Sequence, residues 1–250
     1  MPKIFITGCS WGCGEWKFIG EYLMSDEILH RGLEQYFNDS GYQVVNVSQS
    51  GSGNRLSVDR LETALADQFV TGDIILFIQS DPIRDFRPDN SYTLPPVTKV
   101  LTDRLFIAGS LQKLHEELFN EQYKRLDVLA SKYNTIHLIG GLFNIHDTAG
   151  QYKNLNLLVK SWVHLLIGHM PEYAHTSSSN FGISNCTWNV NSIKLHEYDL
   201  PLAGNLIEEI SDFFKNYDVL REDIFHPDGL HPNRQGHKIL FDYIIKELHL

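Results

Sequence analysis

Four short apolar runs punctuate the chain: Lys3–Thr7, Tyr42–Val47, Asp73–Ile78 and Thr135–Ile139. Each is rich in strand-forming residues and has turn formers close by, so each predicts a β-strand. The stretches between them carry helical spacing. Ile28, Leu33 and Phe37 suggest one apolar face after a cap at Ser25, where Asp26 and Glu27 suit the positive end of a helix. Leu56, Leu61, Leu65 and Phe69 mark a second helix, closed by Thr71-Gly72. A long helical segment from about Leu101 to Tyr133 carries Leu105, Leu111, Leu114, Leu118, Leu126 and Leu129. A last helix follows Pro232-Asn233, with Ile239, Leu240, Ile244 and Ile245 on its apolar side.

Strands alternating with helices imply parallel pairing through right-handed crossovers. The expected fold is therefore an α/β domain: an open, doubly wound, mostly parallel sheet flanked by helices. A fifth strand is expected near Ser192–Leu195. Residues 150–191 are mixed in character, and Tyr173 to Asn180 is polar and serine-rich. They suggest an insertion or a lid within one domain spanning residues 1–250, rather than a linker.

Composition narrows the function classes. A chain of 250 residues, 42% hydrophobic and 21% charged, can bury a core without metal or disulfide staples. A net charge of −10 disfavours phosphate backbones and anionic membranes, so neither nucleic acid nor membrane is an expected partner. Cys9, Cys13 and Cys186 make an odd set with no repeated spacing, which reads as free thiols in a reducing compartment. The apolar run at Ile4–Thr7 is too short for a signal core or a membrane span, so a soluble, cytoplasmic protein is expected.

Ligands of open α/β sheets bind beyond the carboxyl ends of the strands, so the strand exits hold the candidate chemistry. After the first strand comes Gly8-Cys9-Ser10-Trp11-Gly12-Cys13-Gly14. Ser10 there could project its hydroxyl into the crevice or simply cap a helix. No phosphate-loop or dinucleotide fingerprint is completed. After the second strand, Ser50-Gly51-Ser52-Gly53-Asn54 offers small residues whose N–H groups could approach a substrate, or an ordinary turn capped by Asn54. After the third strand come Gln79-Ser80-Asp81-Pro82, polar groups at the end of an apolar run. Near the C-terminus, His226-Pro227-Asp228-Gly229-Leu230-His231-Pro232 places an aspartate three residues before a histidine. That spacing would let the carboxylate fix the tautomer of the ring and stabilise its imidazolium, or Asp228 is only a turn residue. His226, His231 and His237 match no compact zinc spacing, and no metal or organic cofactor is expected.

Taken together, Gly8-Cys9-Ser10, the Gly51/Gly53 block and Asp228-Gly229-Leu230-His231-Pro232 resemble the SGNH, or GDSL-type, hydrolase family, in its order along the chain. The resemblance implies a flavodoxin-like architecture with Ser10 as nucleophile, His231 as general base and then acid, and Asp228 orienting His231. It further implies that the N–H groups of Ser10 and Gly51 bind the oxyanion, with Gly53 the other candidate of that block. Two departures stand out. Cys9 replaces the family's aspartate, and the third block lacks its asparagine, leaving Ser80, Gln79 or Asn54 as substitutes. The expected activity is ester hydrolysis through an acyl-serine, on a carbohydrate or other small-molecule ester, with deacetylation the first candidate. An O-acyltransferase is a close variant, and a binding protein with weakened catalysis is the competing class. Oligomeric state is not legible in the sequence.

Overall fold

The computed structural model describes residues 2–19, 23–80, 85, 111–141, 145–162, 165–166 and 231–250. Five strands form one sheet: β1 (Lys3–Thr7), β4 (Gln43–Asn46), β5 (Ile74–Gln79), β6 (Ile136–Gly140) and β7 (Leu155–Val159). Their order is β4-β1-β5-β6-β7, and all four pairings are parallel. A separate antiparallel pair joins β2 (Glu15–Ile19) to β3 (Leu23–His30). Among the described residues the helices include α1 (Ser10–Cys13), α2 (Leu33–Asp39), α3 (Asn54–Gln68), α4 (Leu111–Lys132) and α5 (Arg234–Leu248). The expected doubly wound α/β sheet is what the chain forms.

The central strands are apolar on both faces because helices cover both. Side chains alternate across a strand, so each run splits into two sets. Ile4, Ile6, Leu76, Ile78 and Ile139 point to one layer, where Leu33 and Phe37 of α2 and Leu240, Phe241 and Ile244 of α5 meet them. Phe5, Ile75, Phe77, Ile136 and Leu138 point to the other, against Val58, Leu61 and Leu65 of α3 and Phe119, Tyr123 and Leu126 of α4. The two α3–α4 and α2–α5 layers hold the sheet between them, and cutting one such side chain back to alanine typically costs about 2–5 kcal/mol.

One sequence expectation is corrected. The helix expected from Ser25 through Phe37 is a strand followed by a shorter helix, because β3 runs to His30 and α2 begins at Leu33. Gly32 interrupts any continuous helix with φ 56°, and an added Cβ there would meet the His237 ring at 2.5 Å. Ile28 precedes Leu33 by five residues, which is off the helical face. It is 42% exposed, whereas Leu33 and Phe37, four apart, are buried. The fifth strand of the sheet is Leu155–Val159, inside the range expected to be an insertion or lid. That run was hard to read because it forms the sheet edge, with Asn156 in the middle and Leu157 48% exposed. Ser192–Leu195 lies outside the described residues, as do 167–191. The long helix is described over Leu111–Lys132, and 101–110 likewise lie outside the described residues. No helix among the described residues is long and apolar enough to cross a membrane.

Candidate active site

The strand order places the site. The chain passes from β1 to β4 on one side and then crosses to β5 on the other, so the order reverses around β1. Ligand crevices form at such switch points. Three of the loops singled out in the sequence leave the sheet there: Gly8–Gly14 after β1, Val47–Gly53 after β4, and Ser80 after β5.

Ser10 opens α1 directly beyond β1 and is only 3% exposed. Its Oγ lies 2.8 Å from Nε2 of His231, a contact between residues 221 positions apart. The residues after the histidine hold it in place. Pro232 is buried, and Asn233 caps α5 by accepting the N–H groups of Gln235 and Gly236. Helix α5 packs Leu240, Phe241 and Ile244 into the sheet, so the ring is carried on an anchored element. Trp11 stands 6.5 Å from the His231 ring and meets Trp162 edge-on at 5.3 Å, walling one side of the pair. Asp228, the expected orienting carboxylate, lies outside the described residues.

The loop after β4 folds against the nucleophile loop. Gln49 N–H donates to the Gly8 carbonyl, and Ser52 N–H donates back to the Gln49 carbonyl. Gly51 occupies the third position of that turn with φ 73°, a conformation glycine adopts without strain. Residues 51–54 are all buried, and the N–H groups of Gly51 and Gly53 have no acceptor among the described residues. The N–H of Ser10 belongs to a first helical turn, where no intrahelical acceptor exists. These loops therefore offer backbone donors, unpaired among the described residues, beside a buried hydroxyl.

Asn54 and Ser80 are brought together. The Asn54 amide donates to the Ser80 carbonyl at 2.8 Å and accepts the Ser80 N–H at 2.7 Å. Both ends of the buried amide are engaged, tying the β4 exit to the β5 exit. Ser80 Oγ is buried and has no hydrogen-bond partner among the described residues. Gln79 turns to the opposite layer, where its Oε1 accepts from the Tyr123 hydroxyl at 2.6 Å, and the same hydroxyl accepts from the His146 N–H. Tyr123, Trp162 and Arg60 escaped the sequence reading. Each sits in a helical pattern that looks like ordinary packing or surface, and only the fold turns it toward the strand exits.

The nearby Cys13 thiol does not compete with Ser10. Burial, and then the neighbouring Cys9, push Cys13 up to about 12, so it stays protonated at neutral pH and is a poor nucleophile. His231 and His237 do not share a site. His237 is fully buried against the Trp162 ring at 4.9 Å, while His231 faces Ser10, and His226 lies outside the described residues. No cluster of three or more metal-ligating side chains occurs among the described residues.

Neither a family model nor a curated protein sequence matches the chain. Among solved structures it is similar to a lipase/acylhydrolase from Enterococcus faecalis (16% identity, TM-score 0.40, covering 99% of this chain and 95% of the other). It is also similar to an acetylxylan esterase from Geobacillus stearothermophilus (16% identity, TM-score 0.42, covering 100% and 94%). A third likeness is to the esterase EstA from Pseudoalteromonas sp. (13% identity, TM-score 0.42, covering 100% of both chains).

Proposed function

We propose that this chain is a serine ester hydrolase of the SGNH type, acting on small-molecule or carbohydrate esters, with acetyl esters the first class to try. The observation that carries the reading is the 2.8 Å contact between Ser10 Oγ and His231 Nε2, formed across nearly the whole chain at a sheet switch point. A buried serine hydroxyl is a weak nucleophile until a base takes its proton, and an imidazole nitrogen at hydrogen-bond distance meets that need.

In the proposed mechanism, His231 Nε2 takes the Ser10 proton as Oγ attacks the ester carbonyl. The carbonyl electron pair moves to oxygen, and the resulting oxyanion receives the N–H groups of Ser10 and Gly51. Ser80 Oγ serves as a third donor, in place of the family's asparagine. Gly53 and Asn54 hold that arrangement, Gly53 by starting α3 and Asn54 by clamping Ser80. The tetrahedral species collapses, His231 returns its proton to the leaving alkoxide, and an acyl-serine remains. Water then attacks by the same steps in reverse roles, releasing the acid and restoring Ser10. Asp228 is assigned the orientation of the imidazole and the stabilisation of its cationic form.

The test is reaction with a fluorophosphonate, read by intact mass. One covalent adduct on Ser10 is expected in the wild-type protein, absent in both Ser10→Ala and His231→Ala. A folded wild-type protein that takes no label would replace this reading with that of a binding protein that keeps the crevice without the chemistry.

A further inference from the structure

We infer that Arg60 is a positioning residue for the oxyanion loop: it clamps Ser52 so that the Gly51 N–H faces the reacting carbonyl, and it places a positive charge behind that donor. The inference rests on the serine hydrolase reading and adds to it a residue with no counterpart in the motif blocks.

Arg60 lies on α3, half-buried, two turns beyond the loop that the helix follows. Its Nη1 donates to Ser52 Oγ at 2.9 Å. The Ser52 hydroxyl in turn donates to the Gly53 carbonyl at 3.1 Å and lies 3.2 Å from Ser57 Oγ. Ser57 Oγ also donates to the Gly53 carbonyl, at 2.9 Å, while the Ser57 carbonyl accepts from Thr7 Oγ1 at the end of β1. The loop is thus bracketed on one side by β1 and on the other by a guanidinium. Fixing the Gly53 carbonyl into α3 leaves the N–H groups of Gly51 and Gly53 to face elsewhere, and neither finds an acceptor among the described residues.

Among the described residues the guanidinium itself is uncompensated. The carboxylates nearest to it on its own helix, Asp59 and Glu62, are taken by Arg125, Asp67 lies about two turns further on, and Arg60 has no carboxylate partner among the described residues. Its charge reaches the nucleophile loop, since it acts on Cys13 in the direction that favours an anion. A half-buried cation with no counter-ion among the described residues, bonded to the loop that carries the oxyanion donors, stabilises negative charge that appears only during reaction. Such a group should act on turnover rather than on ground-state binding.

The experiment compares wild type with Arg60→Met, Arg60→Lys and Ser52→Ala, using p-nitrophenyl acetate for kcat and KM, the fluorophosphonate for the rate of Ser10 labelling, and a thermal melt for folding. Arg60→Met is expected to lose about tenfold or more in kcat and in labelling rate, with KM little changed. Arg60→Lys, which keeps the charge, should recover most of that loss, and Ser52→Ala should fall between them. A wild-type kcat in folded Arg60→Met overturns the inference while labelled wild-type Ser10 keeps the hydrolase reading. Equal losses in Met and Lys variants that follow their melting temperatures also overturn it, by assigning Arg60 to stability alone. Should Arg60→Met fail to fold, an unchanged kcat and labelling rate in folded Ser52→Ala overturns it. Absence of labelling in wild type removes both readings together.

Discussion

At the scale of single residues, the region of the site is organised by buried polar contacts that each have a definite partner. Gln79 illustrates the cost of changing one. Its side chain leaves the apolar strand β5 almost fully buried and is held by the Tyr123 hydroxyl, which also accepts the His146 N–H. Tyr123→Phe keeps the ring and removes only that oxygen, taking a partner away from each of the two groups it joins. The variant is expected to lose about 1–3 kcal/mol of stability, measured by urea denaturation. Gln79→Leu in the same background should cost less than it does in wild type, because the contact it would break is already gone. The clamp between Asn54 and Ser80 obeys the same logic, with both atoms of one amide meeting both backbone groups of one residue.

At the scale of elements, helix α5 matters for the histidine that stands in front of it. Asn233 satisfies two of the first-turn N–H groups, and the helix then buries Leu240, Phe241 and Ile244 against the sheet. Asn233→Ala is expected to cost about 1 kcal/mol in thermal stability. It should also slow Ser10 labelling more than its stability cost implies, because His231 sits two residues before the cap; labelling rate well below Tm checks this. The element scale is also where sequence pattern failed. A leucine, methionine and isoleucine between residues 23 and 28 suit a helix as readily as a strand, and local spacing does not reveal the antiparallel partner at Glu15–Ile19. At α3 and α5 the pattern was legible, because one apolar stripe facing a sheet repeats at helical spacing whatever its partner is.

At the scale of the whole molecule, stability should fall on mild acidification. His137 lies on β6 beside β7, its Nδ1 2.9 Å from the Asn156 amide nitrogen, and burial lowers its pKa. His30 is lowered as well, by burial and then by the Arg234 charge. A histidine held neutral in the fold takes its proton more readily when unfolded. Between the ordinary histidine value of about 6.5 and the lower folded value, the unfolded state therefore binds more protons. Stability is full above that ordinary value and is lost as pH falls below it, with a limiting slope of about 1.4 kcal/mol per pH unit for the buried His137 and a smaller, solvent-screened one for His30. Urea midpoints for wild type and His137→Gln between pH 7.5 and 5 test this: the variant should show the shallower slope.

Local preferences were written in the sequence alone: four of the five sheet strands, the helices α3 and α5, and short polar blocks at strand exits. Those come from period, propensity and turn chemistry within a few residues, which a linear pattern carries. The tertiary structure decided which distant pieces meet. It put β7 at the sheet edge, where half-exposure blurs the apolar run, and it paired Glu15–Ile19 with Leu23–His30 as antiparallel strands. It brought His231 to Ser10 across 221 positions, and it turned Asn54 onto Ser80 and Arg60 onto Ser52. Such contacts depend on strand order and on which layer a side chain enters, and both are set by packing of the entire sheet between its helices.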